Sequence, residues 1–80
     1  MGRRHEPQEA LGRAIRQFRD ERGLKQQELA DAADVNVTAI SHIERGRGNP
    51  AWGTVKRIAG ALDVPMSAVA ARAEQLEQKG

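Results

Sequence analysis

Two short helical patterns separated by only three residues constrain the fold of this chain more than any other feature. Apolar residues recur at helical spacing in 26–33 and again in 37–45, and Asp34-Val35-Asn36 lies between them. Asn36 is a residue type that commonly precedes a helix, because its side chain can accept a hydrogen bond from the first turn. Such a short connection holds two helices at a steep angle. We therefore expect the second helix to stand out from the surface with one polar side free.

Three further helical patterns flank this pair, whereas β-branched residues occur singly and give little indication of strands. The predicted helices span about 7–22, 26–33, 37–45, 50–62 and 66–78, with Asn49 as the expected cap of the fourth. Their inward-facing residues are predicted to be Leu11, Ala14, Ile15, Phe18, Leu29, Ala30, Ala33, Ile40, Ile43, Trp52, Val55, Ile58, Ala59, Leu62, Val69, Ala73 and Leu76. The sequence thus predicts one all-α domain over 1–80, with frayed ends at about 1–6 and 79–80.

The composition argues against several classes of protein. There is no cysteine, hence no disulfide and no thiolate for a metal or for catalysis. The basic start is not followed by an apolar stretch, and no run is long enough to span a membrane. His42 has no neighbour at ligand or triad spacing, and no Gly-rich phosphate loop occurs. We expect a cytoplasmic protein that is not an enzyme and that binds no metal, cofactor, small-molecule substrate or membrane.

Charge is unevenly distributed, although the net charge is only +2. Seven basic residues lie in the first third of the chain, and a second group combines Arg45 and Arg47 with Lys56 and Arg57, without an acid among them. Such asymmetry suggests that one face meets a polyanion. The alternative is a solvated surface of mixed charge.

The segment 23–50 carries a family resemblance. The residues that match are Gly23-Leu24, Gln26, Glu28-Leu29-Ala30, Val35, Ile40, Ile43-Glu44-Arg45-Gly46, Asn49-Pro50 and Ile58-Ala59, extended by Ala61-Leu62 and Val64. In this order and spacing the chain resembles the phage-repressor-like (Cro/Xre-type) helix-turn-helix transcriptional regulators over roughly 11–69. The resemblance implies a five-helix lambda-repressor-like fold, with the helix-turn-helix formed by helices 2 and 3. It also implies sequence-specific binding of double-stranded DNA for transcriptional regulation, usually as a repressor homodimer on a palindromic operator.

The resemblance assigns candidate base contacts to the third helix. They are Val37, Thr38, Ser41 and His42. A threonine can bond a base edge or touch a thymine methyl, whereas a valine can make only the apolar contact. Histidine can donate or accept a hydrogen bond, according to its tautomer and charge. For each residue the alternative is an ordinary exposed helix position.

Candidate contacts to the DNA backbone surround that helix. They are Lys25, Gln26, Asn36, Arg45, Arg47 and Asn49. Gln26 matches a family position that bonds a phosphate and braces a base-reading side chain, the alternative being a helix-start residue that bonds its own backbone. Lys25 departs from the family, which usually has a capping Ser or Thr there, so it is either a phosphate contact or a weak cap. Asp34 replaces a common turn glycine, and Trp52 replaces a smaller apolar residue at a core, rim or interface position.

Two further predictions concern how the helices pack against each other and against a second copy. Arg19 and Glu44 match a charge pair that joins helices 1 and 3 in many family members, the alternative being two surface charges. The fifth helix is longer than a minimal fold needs, and its Val69, Ala73 and Leu76 are predicted to form a dimer interface, the alternative being a solvated tail. A protein-interaction or antitoxin-like module that keeps the fold without reading DNA is the competing function.

Overall fold

The computed structural model describes residues 7–78, which form five α-helices and no strand. The helices are α1 (Pro7–Glu21), α2 (Gln26–Ala33), α3 (Val37–Glu44), α4 (Trp52–Ala61) and α5 (Met66–Gln78). The all-α class and the five-helix order are as predicted, and α2 and α5 have the predicted bounds. The expected fraying of 1–6 and 79–80 lies outside the described residues.

The start of α4 differs from the prediction. Asn49 and Pro50 lie in the preceding loop, and the helix begins at Trp52 after Ala51, whose backbone is extended and whose side chain makes no cap. Proline is compatible with a first helical turn, but it also suits extended loops, and it biases the residue before it away from helical geometry. The Asn-Pro pair therefore marks the boundary region and not the first turn itself.

The main core lies between the first four helices and the start of α5. Its buried residues are Ile15, Phe18, Leu29, Ala30, Ala33, Ile40, Ile43, Ile58, Ala59, Leu62 and Val69. Arg22, directly after α1, ties this core to the α4–α5 turn, since its guanidinium donates to the carbonyl of Leu62 at 2.8 Å. That bond satisfies a carbonyl at a helix end, where no backbone partner exists.

A second, smaller cluster packs α5 along α1. Ala10 and Ala14 of α1 meet Ala73 and Leu76 of α5, and all four are buried. Val69, Ala73 and Leu76 are only 1%, 9% and 6% exposed within the single chain. The prediction that they form a dimer interface is therefore wrong. The fifteen-residue α1 is long enough to cover α5 itself, and its two alanines allow the helices to approach closely.

Trp52 was predicted to face the core, but it is 68% exposed. It lies three residues before the buried Val55, and hence on the same side of α4, but at the very first position of the helix. The apolar pattern identified the correct face. It could not show that burial begins only at Val55, about one turn after the helix itself begins.

Candidate nucleic-acid-binding surface

The turn between α2 and α3 is built from local backbone chemistry. Asp34 adopts the left-handed conformation (φ 57°), which aspartate tolerates better than most residues. The backbone N–H of Val35 then donates to the Ala30 carbonyl at 3.0 Å and closes α2. Asn36 caps the N-terminus of α3, because its side-chain oxygen accepts a hydrogen bond from the Thr38 N–H at 2.7 Å. The orientation of α3 is thus set within three residues.

One side of α3 is buried and the opposite side is open. Ile40, Ile43 and Glu44 are buried in the chain. Thr38, His42 and Arg45 are exposed, and their spacing of i, i+4 and i+7 places them on one stripe of a helix. We call these three residues the α3 stripe. A helix with one side buried and such an exposed stripe on the other suits binding in the DNA major groove.

The two remaining candidate base contacts, Val37 and Ser41, are less exposed than the α3 stripe. Val37 is half-buried and packs against the main core. The hydroxyl of the half-buried Ser41 accepts a hydrogen bond from the Arg45 guanidinium at 2.8 Å. This bond holds the Arg45 side chain along the helix surface. Ser41 therefore positions a neighbouring cation in the unbound chain.

The candidate backbone contacts border α3 at both ends. Lys25, Asn36, Arg47 and Asn49 are exposed, and Gln26 is half-buried at the first position of α2. Arg47 follows the end of α3, where its N–H donates to the His42 carbonyl at 2.9 Å. These residues lie at the starts of α2 and α3 and in the loop after α3, and helix ends and loops are common places for phosphate contacts.

Lys25 also takes part in the start of α2. Its backbone N–H donates to the Glu28 carboxylate at 2.8 Å, which is one half of a capping box. A lysine side chain has no acceptor, so it cannot supply the other half. The carboxylate of Glu28 thus compensates in part for the missing Ser or Thr, and the Lys25 side chain remains exposed.

A buried polar cluster fastens α3 to α1 and α2. The Arg19 guanidinium donates two hydrogen bonds to the two oxygens of Glu44, at 2.6 Å and 2.9 Å, and a third to the Leu24 carbonyl at 2.7 Å. The side chains of Arg19 and Glu44 are only 11% and 3% exposed. The hydrogen bond with Glu44 raises the pKa of Arg19, so the arginine stays charged. The pair is buried and bidentate rather than a surface contact.

Gln26 completes this cluster. Its side-chain amide donates to the same Glu44 oxygen, Oε1, at 3.0 Å. An amide nitrogen has two N–H groups, and its oxygen is an additional acceptor. One N–H and the oxygen therefore remain available to other groups. Because Glu44 holds the side chain, Gln26 is already oriented beside α3, which sequence reasoning did not anticipate.

Gly12 is a second feature that sequence reasoning missed. It is buried in α1, and a Cβ added there would overlap the carbonyl oxygen of Ile43 and lie 3.1 Å from its carbonyl carbon. The backbones of α1 and α3 therefore approach closely at this residue. A glycine inside an otherwise helical pattern is the one sequence signal for such an approach.

Two negative observations bear on the chemistry. Within residues 7–78 no group of three or more histidine and carboxylate side chains is placed to hold a metal ion. None of the helices in that range has the length and apolar character that a membrane crossing requires.

Comparison with known proteins decides the family. Residues 15–69 match the HTH_3 family, described as Helix-turn-helix. This chain belongs to the helix-turn-helix family. The resemblance read from the sequence is thereby confirmed. The Gly23–Pro50 motif lies within the matched range.

Individual proteins are similar over most of the chain. The immunity repressor protein of Bacillus phage phi105 is 39% identical over 59 residues, or 74% of this chain and 41% of that protein. The HTH-type transcriptional repressor RghR of Bacillus subtilis is 37% identical over 71 residues, or 88% of this chain and 53% of that protein. This chain thus spans about half or less of the length of these two relatives.

A solved structure shows the same architecture. The clp gene regulator ClgR from C. glutamicum superposes with a TM-score of 0.90 at 30% sequence identity, covering 96% of this chain and 99% of that one. The superposition includes α5, which lies mostly beyond the residues that match the family. The five-helix fold of this helix-turn-helix domain is therefore shared over its whole described length.

Proposed function

We propose that this helix-turn-helix domain binds double-stranded DNA sequence-specifically and represses transcription as a homodimer on a palindromic operator. The observation that carries the proposal is the exposed α3 stripe, held in place by the buried Arg19–Glu44–Gln26 cluster. The matched relatives are described as repressors and regulators, which supports the same class. The proposal implies a protein that acts in the cytoplasm, on the chromosome.

Sequence choice comes from side chains of α3. Thr38 reads a base edge or a thymine methyl, and His42 donates to or accepts from a second base. Val37 adds an apolar contact from its exposed part, and Ser41 contributes once Arg45 turns toward a phosphate. Each good contact of this kind discriminates between bases by about 1–3 kcal/mol.

Register and much of the affinity come from the surrounding residues. Arg45, Arg47 and Lys25 bring positive charge to phosphates, and their contacts weaken as salt rises because bound counterions are released. Asn36 and Asn49 donate amide hydrogen bonds to the same backbone. Gln26 uses its second N–H for a phosphate and its oxygen to brace a base-reading side chain.

Selection of bound fragments from random duplex DNA tests the role of Thr38. We expect a palindromic or pseudo-palindromic motif, and we expect Thr38→Ala to relax the preference at one base in each half-site. Thr38 is exposed, so its loss should leave the fold intact. An unchanged motif would refute its reading role.

Arg47→Ala is the matched contrast. It should weaken binding to all sequences alike and reduce the slope of log affinity against log salt by about one. A change in base preference would show instead that Arg47 reads bases. A folded sample that ignores duplex DNA even at low salt would contradict the proposed function and favour a protein-interaction module.

A further inference from the structure

Two exposed arginines of α1 take no part in the DNA contacts proposed above. Arg13 and Arg16 lie three residues apart, so they are neighbours on the helix surface. Together with Gln17, Asp20 and Glu44 they line an open recess of about 460 Å³ between α1 and the last residue of α3. We call it the α1–α3 recess.

The recess borders the C-terminal end of α3, because α1 is packed directly against that end. A Cβ added to Gly12 would overlap the Ile43 carbonyl oxygen, and a Cβ added to Gly46 would lie 2.8 Å from the Cγ of Glu9. Arg16 follows Gly12 by four residues and therefore lies on the same side of α1. The backbone that carries Arg16 is thus fixed beside the end of α3.

The charges in the recess favour an anion. The Glu44 carboxylate already accepts hydrogen bonds from Arg19 and Gln26, so its charge is balanced within the chain. Asp20 lies 4.0 Å from the Arg16 guanidinium and 3.6 Å from that of Arg19. The side chains of Arg16 and Asp20 are 67% and 61% exposed, and an exposed pair at this distance contributes little. Arg16 can therefore exchange Asp20 for a phosphate.

We propose that Arg16, with Arg13 beside it, holds a phosphate of the DNA backbone in the α1–α3 recess. The N-terminal residues of a recognition helix contact base edges, so its opposite end points toward a sugar–phosphate wall of the major groove. The eight residues of α3 span about 12 Å, and the groove is about 12 Å wide. The length of α3 therefore brings its C-terminal end, and the recess beside it, to that wall.

This inference rests on the proposed function and adds to it a contact from outside the helix-turn-helix. Arg45 and Arg47 lie at the end of α3 and in the loop after it. Arg16 instead belongs to α1, which the buried Arg19–Glu44 pair fastens to α3. Phosphate contacts fix the orientation of a protein on the duplex. A phosphate held by α1 therefore fixes the tilt of α3 in the groove from a second element.

The salt dependence of binding tests the charge of Arg16. Arg16→Gln should make the slope of log affinity against log salt shallower by about one, on the selected operator and on random duplex alike. Its deficit relative to the wild type should therefore shrink about three- to fourfold as salt rises from about 50 to about 200 mM. Arg16→Lys, which keeps the charge, should keep the slope of the wild type.

Arg57→Gln is the matched control for the loss of charge. It removes one positive charge from the exposed surface of α4, outside the recess. Its slope should stay close to that of the wild type. The thermal midpoint of Arg16→Gln should also stay close to that of the wild type, since the side chain is exposed and its pair with Asp20 is weak.

Operators in which single phosphates are replaced by uncharged methylphosphonates locate the contact. Each replacement at a contacted phosphate should weaken binding of the wild type. At one phosphate in each half-site this loss should persist in Arg47→Ala but be absent in Arg16→Gln, because a contact that has lost its arginine cannot be lost again. That single silent position, together with the shallower salt slope, is the result expected.

The outcomes separate this inference from the proposed function. If the wild type binds duplex DNA but Arg16→Gln and Arg57→Gln have the same salt slope, the recess does not hold a phosphate. A set of methylphosphonate effects that is identical for Arg16→Gln and the wild type would overturn it equally. In both cases the proposed function stands. If the wild type binds no duplex even at low salt, the proposed function and this inference both fail.

Discussion

Helix α1 joins α3 and α5 in two different ways. Toward α3, Gly12 lets the two backbones meet, and the buried Arg19–Glu44 pair joins the helices. Toward α5, small apolar side chains pack together, and Arg72 pairs with Glu21 at 2.8 Å with side chains that are 27% and 54% exposed. Each junction thus includes an arginine–carboxylate pair, and the two pairs lie in opposite environments.

The environment determines what each pair does. A buried pair is stable only when its geometry and remaining hydrogen bonds are satisfied, so it specifies one orientation. Arg19 meets that condition with three hydrogen bonds. An exposed pair contributes little, and the Arg72 guanidinium carbon also lies 4.1 Å from the centre of the Phe18 ring, in a cation–π contact. The helix proposed to read DNA is therefore held by directional bonds in addition to its buried apolar side, whereas α5 is held mainly by packing.

The largest expected effect comes from breaking the buried pair. Glu44→Ala should lower the free energy of unfolding by about 3–5 kcal/mol, because Arg19 is left buried without its carboxylate. Urea unfolding measures this directly. Glu21→Ala, which removes the carboxylate of the exposed pair, should change the midpoint far less. Equal effects of the two variants would contradict the distinction between the junctions.

A double variant separates stability from orientation in the same cluster. Arg19→Met with Glu44→Leu should recover most of the lost stability, since apolar residues of similar volume often replace a buried ion pair at little cost. Gln26 loses its partner in this variant, so affinity for duplex DNA should remain reduced. Recovery of both properties would show that Glu44 does not position Gln26.

A smaller effect is expected at the close approach of α1 and α3. Gly12→Ala should destabilise the protein by about 1–3 kcal/mol, because the new methyl group forces the backbones apart. Gly60→Ala is the matched control, since it is also helical but has no atom within 4 Å of the added Cβ. It should stabilise the protein by up to about 1 kcal/mol through helix propensity alone. Thermal midpoints that move in the same direction would contradict the close contact.

The smallest effect concerns the pH dependence of the exposed pair. Hydrogen bonds from Arg72 lower the pKa of Glu21 in the folded chain. The contribution of ionised Glu21 to the free energy of unfolding is therefore present above the ordinary glutamate pKa of about 4.3. It is lost as the pH falls through the lower pKa of the folded chain. The small difference in thermal midpoint between wild type and Glu21→Gln should exist at about pH 6 and vanish in acid. Glu74→Gln, a surface charge on α5, is the control, and a difference that persists in acid would exclude Glu21 titration as its cause.

Much of the fold was predictable because its signals are local. Asn36 caps α3 through a hydrogen bond from the N–H of Thr38, two residues along the chain. Asp34 forms the turn through its own left-handed backbone conformation. Helical spacing identified the faces of all five helices, and the family resemblance pointed to the residues of the α3 stripe. The role of Gln26 toward Glu44, in contrast, joins residues eighteen positions apart, and no local pattern contains it.

The sequence by itself determined the number and order of the helices, the turn before α3 and which side of each helix is apolar, because these depend on contacts within a few residues. Only the tertiary structure decided what covers each apolar side. It buried Val69 in the main core and Ala73 and Leu76 against α1, left Trp52 outside, and enclosed Arg19 with Glu44. The physical reason is that periodicity specifies a direction on a helix, whereas burial depends on the length and position of a neighbour that is distant in the chain.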